Sequence, residues 1–327
     1  MKVLLFSHES DIDGMGSVVL SKLAFSDFDY VLASTPKGLE LKFRDYINDK
    51  VLYNYDNIYI TDLSLENPSL DMVANDDVLK NKVKVFDHHD GAIKNGLNKY
   101  DFTFIEEIDK NGIKRCGTEI FYKYLLDNNY LKRTESLDKF VEFTRLEDTW
   151  EWKKNNKPEA HDLSILFSNI GIINYIESMY SKLKDNNFSF SKEEKELLDR
   201  IKEENINNIK KYISEAEFFM DENNNLFGIT IAPYEFRNDL PEYIRDHNDK
   251  NVKYFITVAF DKEKYGQKSY RSIDKSIDVN EIAMKHNGAG HPYAAGVSIT
   301  EEQNKKMKTM PKKLALEYIS KCSYENI

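Results

Sequence analysis

The first chemistry in the chain is packed into Ser7-His8-Glu9-Ser10-Asp11-Ile12-Asp13-Gly14. One imidazole and two carboxylates, His8, Asp11 and Asp13, fall within six residues. Acceptors this close repel one another when the acids are ionised, and a cation among them is the simplest resolution. The same residue types return as Asp62 in Thr61-Asp62-Leu63-Ser64, as Asp87-His88-His89-Asp90-Gly91, and as Asp148 in Glu147-Asp148-Thr149-Trp150. Each has an ordinary reading, since Asp and Gly build surface turns, Asp62 could cap a helix and Asp148 could close one. Adjacent histidines between aspartates at the end of an apolar run are hard to explain as packing. Together the set is carboxylate and imidazole with no thiolate. That composition suits manganese, magnesium or a similar ion better than a structural zinc site built on cysteine. The count suits two ions, which together can activate water and hold both an attacked phosphorus and its leaving oxygen.

These residues need elements to position them. Lys2-Val3-Leu4-Leu5-Phe6 is an apolar run of strand length, and Val18-Val19-Leu20 opens a helical pattern after the first motif. Further strands are predicted over 28–34, 57–61, 82–86 and near 102–105, alternating with helices over 38–48, from 67, and over 117–128 and 136–146. The chemistry therefore follows strand or helix ends, the edge at which open α/β sheets bind ligands. Polar breaks at 153–160 and 183–190 bracket an apolar helical stretch over 162–180. Ser191-Lys192-Glu193-Glu194 is a capping box that opens a charged helix to about residue 214. Strand and helix resume near residue 216: strands over 226–232, 253–260 and 267–271, and helices over 240–248 and 279–286. A loop rich in small residues follows, Asn287-Gly288-Ala289-Gly290-His291-Pro292-Tyr293-Ala294-Ala295-Gly296, dense enough to let backbone approach a ligand. The expected architecture is α/β, with an N-terminal parallel sheet flanked by helices, a helical linker, and a smaller C-terminal α/β domain with a mixed sheet. The expected boundaries are 1–155 for a metal-binding catalytic domain, 156–215 for a helical connector and 216–327 for a substrate-binding domain.

The bulk composition narrows the partners. With 46 Lys and Arg against 56 Asp and Glu, the formal net charge is −10, which opposes a long electrostatic footprint on nucleic acid and leaves a short substrate. No segment approaches the length of a membrane span, and the apolar start runs into His8 and acids rather than a small-residue cleavage site. The expectation is a cytoplasmic protein without a membrane partner. Cys116 and Cys322 read as packing residues, too few and too far apart for a disulfide framework.

Asp87-His88-His89, with the motifs at His8–Asp13, Asp62 and Asp148, resembles the signature of the DHH phosphoesterase family. Gly288-Ala289-Gly290-His291 followed by Ala294-Ala295-Gly296 resembles that of its DHH-associated C-terminal domain, with Ala289 where glycine is usual. The His8 to Asp11 spacing is one residue shorter than in some branches. By this resemblance His8 and Asp11 would hold one divalent cation, Asp13, His88 and Asp148 a second, and Asp62 would bridge them. Asp87 and His89 would serve catalysis by orienting ligands and contacting the phosphoryl group. Arg271, Gly288, Gly290 and His291 would grip substrate in a cleft between the domains. The likeness runs closest to the branch that degrades very short oligoribonucleotides. It implies a phosphodiesterase releasing mononucleotides with two ions, manganese first and magnesium or cobalt as alternatives, acting on a short oligonucleotide or dinucleotide. A homodimer is compatible with it. Alternatives are a 3′-phosphoadenosine 5′-phosphate phosphatase, a linear or cyclic dinucleotide phosphodiesterase and, from another class, a silent nucleotide-binding regulatory module.

Overall fold

The computed structural model describes residues 1–247, 250–260 and 266–322. Two compact units divide the chain, Met1–Leu198 and Asp199–Ile327.

The first unit begins with β1 (Lys2–His8), α1 (Ile12–Ala24), β2 (Asp27–Ala33), α2 (Pro36–Asn48), β3 (Asn57–Thr61) and α3 (Asn67–Asn75). It continues with α4 (Leu79–Lys82), β4 (Val83–Asp87), α5 (Asp90–Lys94), β5 (Thr103–Ile105) and the helices α6 (Gly117–Asp127), α7 (Glu135–Asp148), α8 (Pro158–Ile170) and α9 (Ile172–Lys184). The five strands form one parallel sheet in the order β2-β1-β3-β4-β5. The centre of a parallel sheet is covered on both faces, so its strands are continuously apolar. Val3, Leu4, Leu5 and Phe6 show this, each 0% exposed. Val3 and Leu5 join the core with α1 and α6 to α9, whereas Leu4 and Phe6 join the core with α2 and α3. The switch of face at every residue is the strand's two-residue period.

The stretch expected as a connector gives its apolar residues to the first of these cores, through Leu163 and Leu166 on α8 and Tyr175, Ile176 and Met179 on α9. The long charged helix α10 (Lys192–Ser214) has the expected capping box, with Glu194 N donating to Ser191 Oγ at 3.2 Å and Ser191 N to Glu194 Oε2 at 2.7 Å. The division between the two units falls inside it.

The second unit contains β6 (Glu217–Met220), β7 (Leu226–Ile231), α11 (Asp239–Asp246), β8 (Tyr254–Phe260), β9 (Gly266–Ser272), α12 (Val279–Met284), β10 (Ala289–His291), β11 (Ala294–Ile299), α13 (Glu301–Lys308) and α14 (Lys312–Lys321). Its six-stranded sheet runs β10-β11-β9-β8-β7-β6 and is mixed, since only β7 and β8 pair in parallel. The helix expected over 240–248 is α11, and Asn248 lies outside the described residues. Part of the expected small-residue loop is a strand: β10 pairs antiparallel with β11, residue Gly290 facing Ala295. No helix among the described residues is long and apolar enough to cross a membrane.

Candidate metal centre

β1, β3 and β4 are neighbours and parallel, and their register aligns Ser7 with Thr61 and Thr61 with Phe86. The residues that follow, His8, Asp62 and Asp87, therefore stand side by side on the carboxyl edge of the sheet. Asp11 is the N-cap of α1, its Oδ1 accepting from Gly14 N at 3.0 Å. A Cβ on Gly14 would lie 2.0 Å from the His8 carbonyl oxygen, so only glycine lets α1 turn this tightly off β1. Asp13, 0% exposed on the first turn of α1, takes Gly117 N on Oδ2 at 2.7 Å and Thr118 N on Oδ1 at 2.8 Å. Its charge thus rests on the N-terminus of α6. Asp148 arrives from the last turn of α7.

Seven of the eight residues expected to form the centre fall into three overlapping groups. Donor atoms of His8, Asp11 and Asp62 lie within 4.8 Å of one another, as do those of Asp13, His88 and Asp148, and those of Asp62, His88 and His89. Asp62 stands between the first two groups: Oδ2 is 3.3 Å from His8 Nδ1 and Oδ1 is 3.3 Å from His88 Nε2. It is 2% exposed and has a φ of 59°, a left-handed conformation that costs a non-glycine residue energy and clusters at functional sites. Asp62 N donates to Phe86 O at 2.9 Å, which holds the residue in place.

Asp87 is turned toward its own chain. Oδ1 accepts from His88 N at 2.7 Å, His89 N at 3.2 Å and His89 Nδ1 at 2.7 Å, while Oδ2 accepts from the Ser64 hydroxyl. Burial would raise its pKa, but the hydrogen bonds from His89 and Ser64 hold it below the ordinary carboxyl value. The His89 side chain, held at Nδ1, is 54% exposed.

The electrostatics ask for positive charge. Asp62 is pushed well above the ordinary range by burial and by the Asp13 charge, and Asp148 is pushed up to about 7 by the same two causes. His8 is raised to about 10 by the carboxylates beside it, Asp11 at 2.6 Å first and then Asp62. A proton on His8 thus supplies in the metal-free protein part of the charge that a cation would bring. Asp62 Oδ2 and Asp148 Oδ2 are buried without a hydrogen bond among the described residues; His8 and His88 come near them, at 3.3 and 3.5 Å, but out of hydrogen-bonding geometry. Buried, unpaired carboxylate oxygens beside imidazoles, with no thiolate, fit hard or borderline divalent cations.

A curated relative, oligoribonuclease NrnB of Bacillus subtilis, is 30% identical over 302 residues, which are 91% of this chain and 73% of the relative. The chain belongs to the DHH phosphoesterase family. Its second unit matches the DHHA1 domain over residues 237–315. Solved DHH-type folds agree at the level of architecture. A pGpG-specific phosphodiesterase, PggH, of Vibrio cholerae superposes with a TM-score of 0.55 at 12% identity, over 98% of this chain and 99% of that one. The DHH domain of a member of a ribosomal-protein family gives 0.57 at 15% identity, over 99% and 87%.

Within the DHHA1 domain, Arg271 on β9, Ala294 on β11 and His291 on β10 are paired in register, so they form a row on one face of the sheet. Arg271 is held by Nε donating to Asn238 Oδ1 at 2.8 Å. Gly288 and Gly290 lie against β11. A Cβ on Gly288 would lie 2.4 Å from Gly296 O, and one on Gly290 2.4 Å from Ala294 O and Ala295 Cα. The space they leave is filled by β11, which packs directly on Gly288 and on Gly290 of β10. Ser64, Gly117 and Thr118 were not singled out from the sequence. Gly117 and Thr118 lie more than 100 residues from the Asp13 they hold, and a short Gly-Thr helix start announces no such partner.

Proposed function

We propose that the protein is a two-metal phosphodiesterase that hydrolyses short oligoribonucleotides to mononucleotides, with manganese as its preferred ion. The observation that carries the reading is Asp62, a buried, left-handed carboxylate with one oxygen beside each of two ligand triads. His8 and Asp11 would hold one ion, Asp13, His88 and Asp148 the other, and Asp62 would touch both. Bound there, divalent cations supply Lewis acidity to the phosphoryl group and lower the pKa of water. Asp87 orients His89, whose pKa its hydrogen bond raises, so that the exposed edge of the ring can donate to a phosphoryl oxygen. Arg271 and His291 take phosphate or base, Gly288 and Gly290 seating the strand that presents His291. Catalytic groups thus belong to 1–155 and substrate contacts to 216–327, joined through 156–215. The net charge of −10 supports a short substrate, and the oligoribonuclease of B. subtilis supports an oligoribonucleotide.

The test is a panel of dinucleotide, pentanucleotide, 3′-phosphoadenosine 5′-phosphate, cyclic dinucleotide and pyrophosphate, each with Mn²⁺ and with Mg²⁺. Mn²⁺-dependent release of mononucleotides from the two oligoribonucleotides is the expected result. Faster turnover of 3′-phosphoadenosine 5′-phosphate or of the cyclic compound would reassign the substrate, and silence on all five with either metal would make the protein a binding module.

A further inference from the structure

The second unit holds a cavity that this chemistry leaves unused. Arg271 pairs with Phe255 and Ala294, whereas the next residue back, Tyr270, pairs with Ile256 and Ala295. Successive strand residues face opposite sides, so Tyr270 and the cavity it lines lie across the sheet from the Arg271 row. The cavity measures about 430 Å³, within the range of small-molecule sites. Its wall is aromatic: Phe227 and Tyr254 stack with ring centroids 5.0 Å apart and planes 9° from parallel, and Tyr270 and Ile282 also line it. Two polar atoms in this lining are buried with no hydrogen-bond partner among the described residues, the Tyr270 hydroxyl and His286 Nδ1. Tyr270 itself is 0% exposed. A buried hydroxyl left unpaired is a cost to the fold that a ligand bonded to it would recover.

The lining also carries charges that largely cancel. Lys285 pairs with Glu222 and Lys321 with Glu317, and Asp221 adds a further carboxylate. Burial and the nearby Lys268 push His286 down to about 4, so the imidazole is neutral at pH 7 and offers a hydrogen bond rather than a charge. Stacking walls, unpaired polar atoms and a slightly acidic lining do not suit a phosphate. We infer that this cavity binds an uncharged planar heteroaromatic molecule of nucleobase or nucleoside size, stacked along Phe227 and Tyr254 and hydrogen-bonded by the Tyr270 hydroxyl and His286. The site is separate from the metal centre and does not depend on the proposed reaction.

The full chain, treated with chelator so that the metal centre takes no phosphate, is titrated calorimetrically with adenine, adenosine, cytidine and adenosine 5′-monophosphate. Saturable binding of a base or nucleoside is expected, and in Arg271→Ala, where the other face of the sheet has lost its guanidinium, the monophosphate should bind at least tenfold more weakly than adenosine. Tyr270→Phe keeps the ring and removes the hydroxyl, and should weaken binding about tenfold, the worth of one hydrogen bond. Ile282→Trp fills the cavity and should abolish it, and far-UV circular dichroism confirms that each variant is folded. Arg271→Ala should leave binding unchanged. No binding by any of the three uncharged probes at millimolar concentration overturns the inference, and so does full affinity in a folded Tyr270→Phe or Ile282→Trp. Loss of binding in Arg271→Ala overturns it as well, by moving the ligand to the other face of the sheet.

Discussion

Asp148 gives the sharpest way to measure the charge crowded into the metal centre. Burial and the Asp13 carboxylate move its pKa from the ordinary 3.8 to about 7. At about 1.4 kcal/mol per pH unit, that displacement corresponds to about 4 kcal/mol. Geometry gives a similar figure: carboxylate oxygens of Asp13 and Asp148 within 4.8 Å repel by about 3.5 kcal/mol at an effective dielectric constant near 20. A carboxyl whose pKa is higher folded than unfolded costs nothing while both states are protonated. Its penalty begins as pH rises past the unfolded value of 3.8 and is complete above the folded value of about 7. Asp148→Asn removes the titration and keeps the shape. Without metal, the variant should therefore be more stable than the parent by about 4 kcal/mol at pH 8, and by less than half of that at pH 5. Urea unfolding in the presence of chelator, at both pH values, reads this directly. Added Mn²⁺ should then stabilise the parent much more than the variant, because a bound ion contributes only to the state that holds it. An advantage that does not change between pH 5 and pH 8, or a metal-free variant less stable than the parent at pH 8, would refute the reasoning.

Three further outcomes test neighbouring parts of the structure. Asp62→Ala should reduce hydrolysis of bis-p-nitrophenyl phosphate at least a hundredfold and lower Mn²⁺ stoichiometry by equilibrium dialysis; near-parental turnover at limiting Mn²⁺ would contradict its place between the triads. Gly117→Ala puts a methyl group 2.9 Å from Asp62 N and 3.1 Å from Asp13 Oδ2, an overpacking worth about 1–3 kcal/mol. It should lower the thermal midpoint and activity together, and an unchanged midpoint would mean that the site yields more easily than the contacts allow. Arg271→Ala should reduce kcat/KM for a dinucleotide at least tenfold relative to kcat/KM for the small ester, whose turnover depends on the metal site; an unchanged ratio removes Arg271 from substrate binding.

Local spacing was enough to read much of the frame and to single out the acids and histidines that the fold gathers. The run Val3 to Phe6 reads as a strand, and Asp87-His88-His89 at the end of another apolar run marks the same sheet edge. Both follow from side-chain periodicity and polarity, which act within a few residues. What the sequence did not contain is decided by contacts between distant segments. The apolar faces of α8 and α9 read as part of a connector until α1 and α7 are there to cover them. That Gly288 and Gly290 lie against the backbone of β11 is likewise visible only in the fold. Asp13 could have been one more solvated acid, and only the fold brings the N-terminus of α6 onto both of its oxygens. A carboxylate's type is written in the chain, but its burial, partners and proton affinity are set by whatever packs around it, and here that lies as far as 105 residues away.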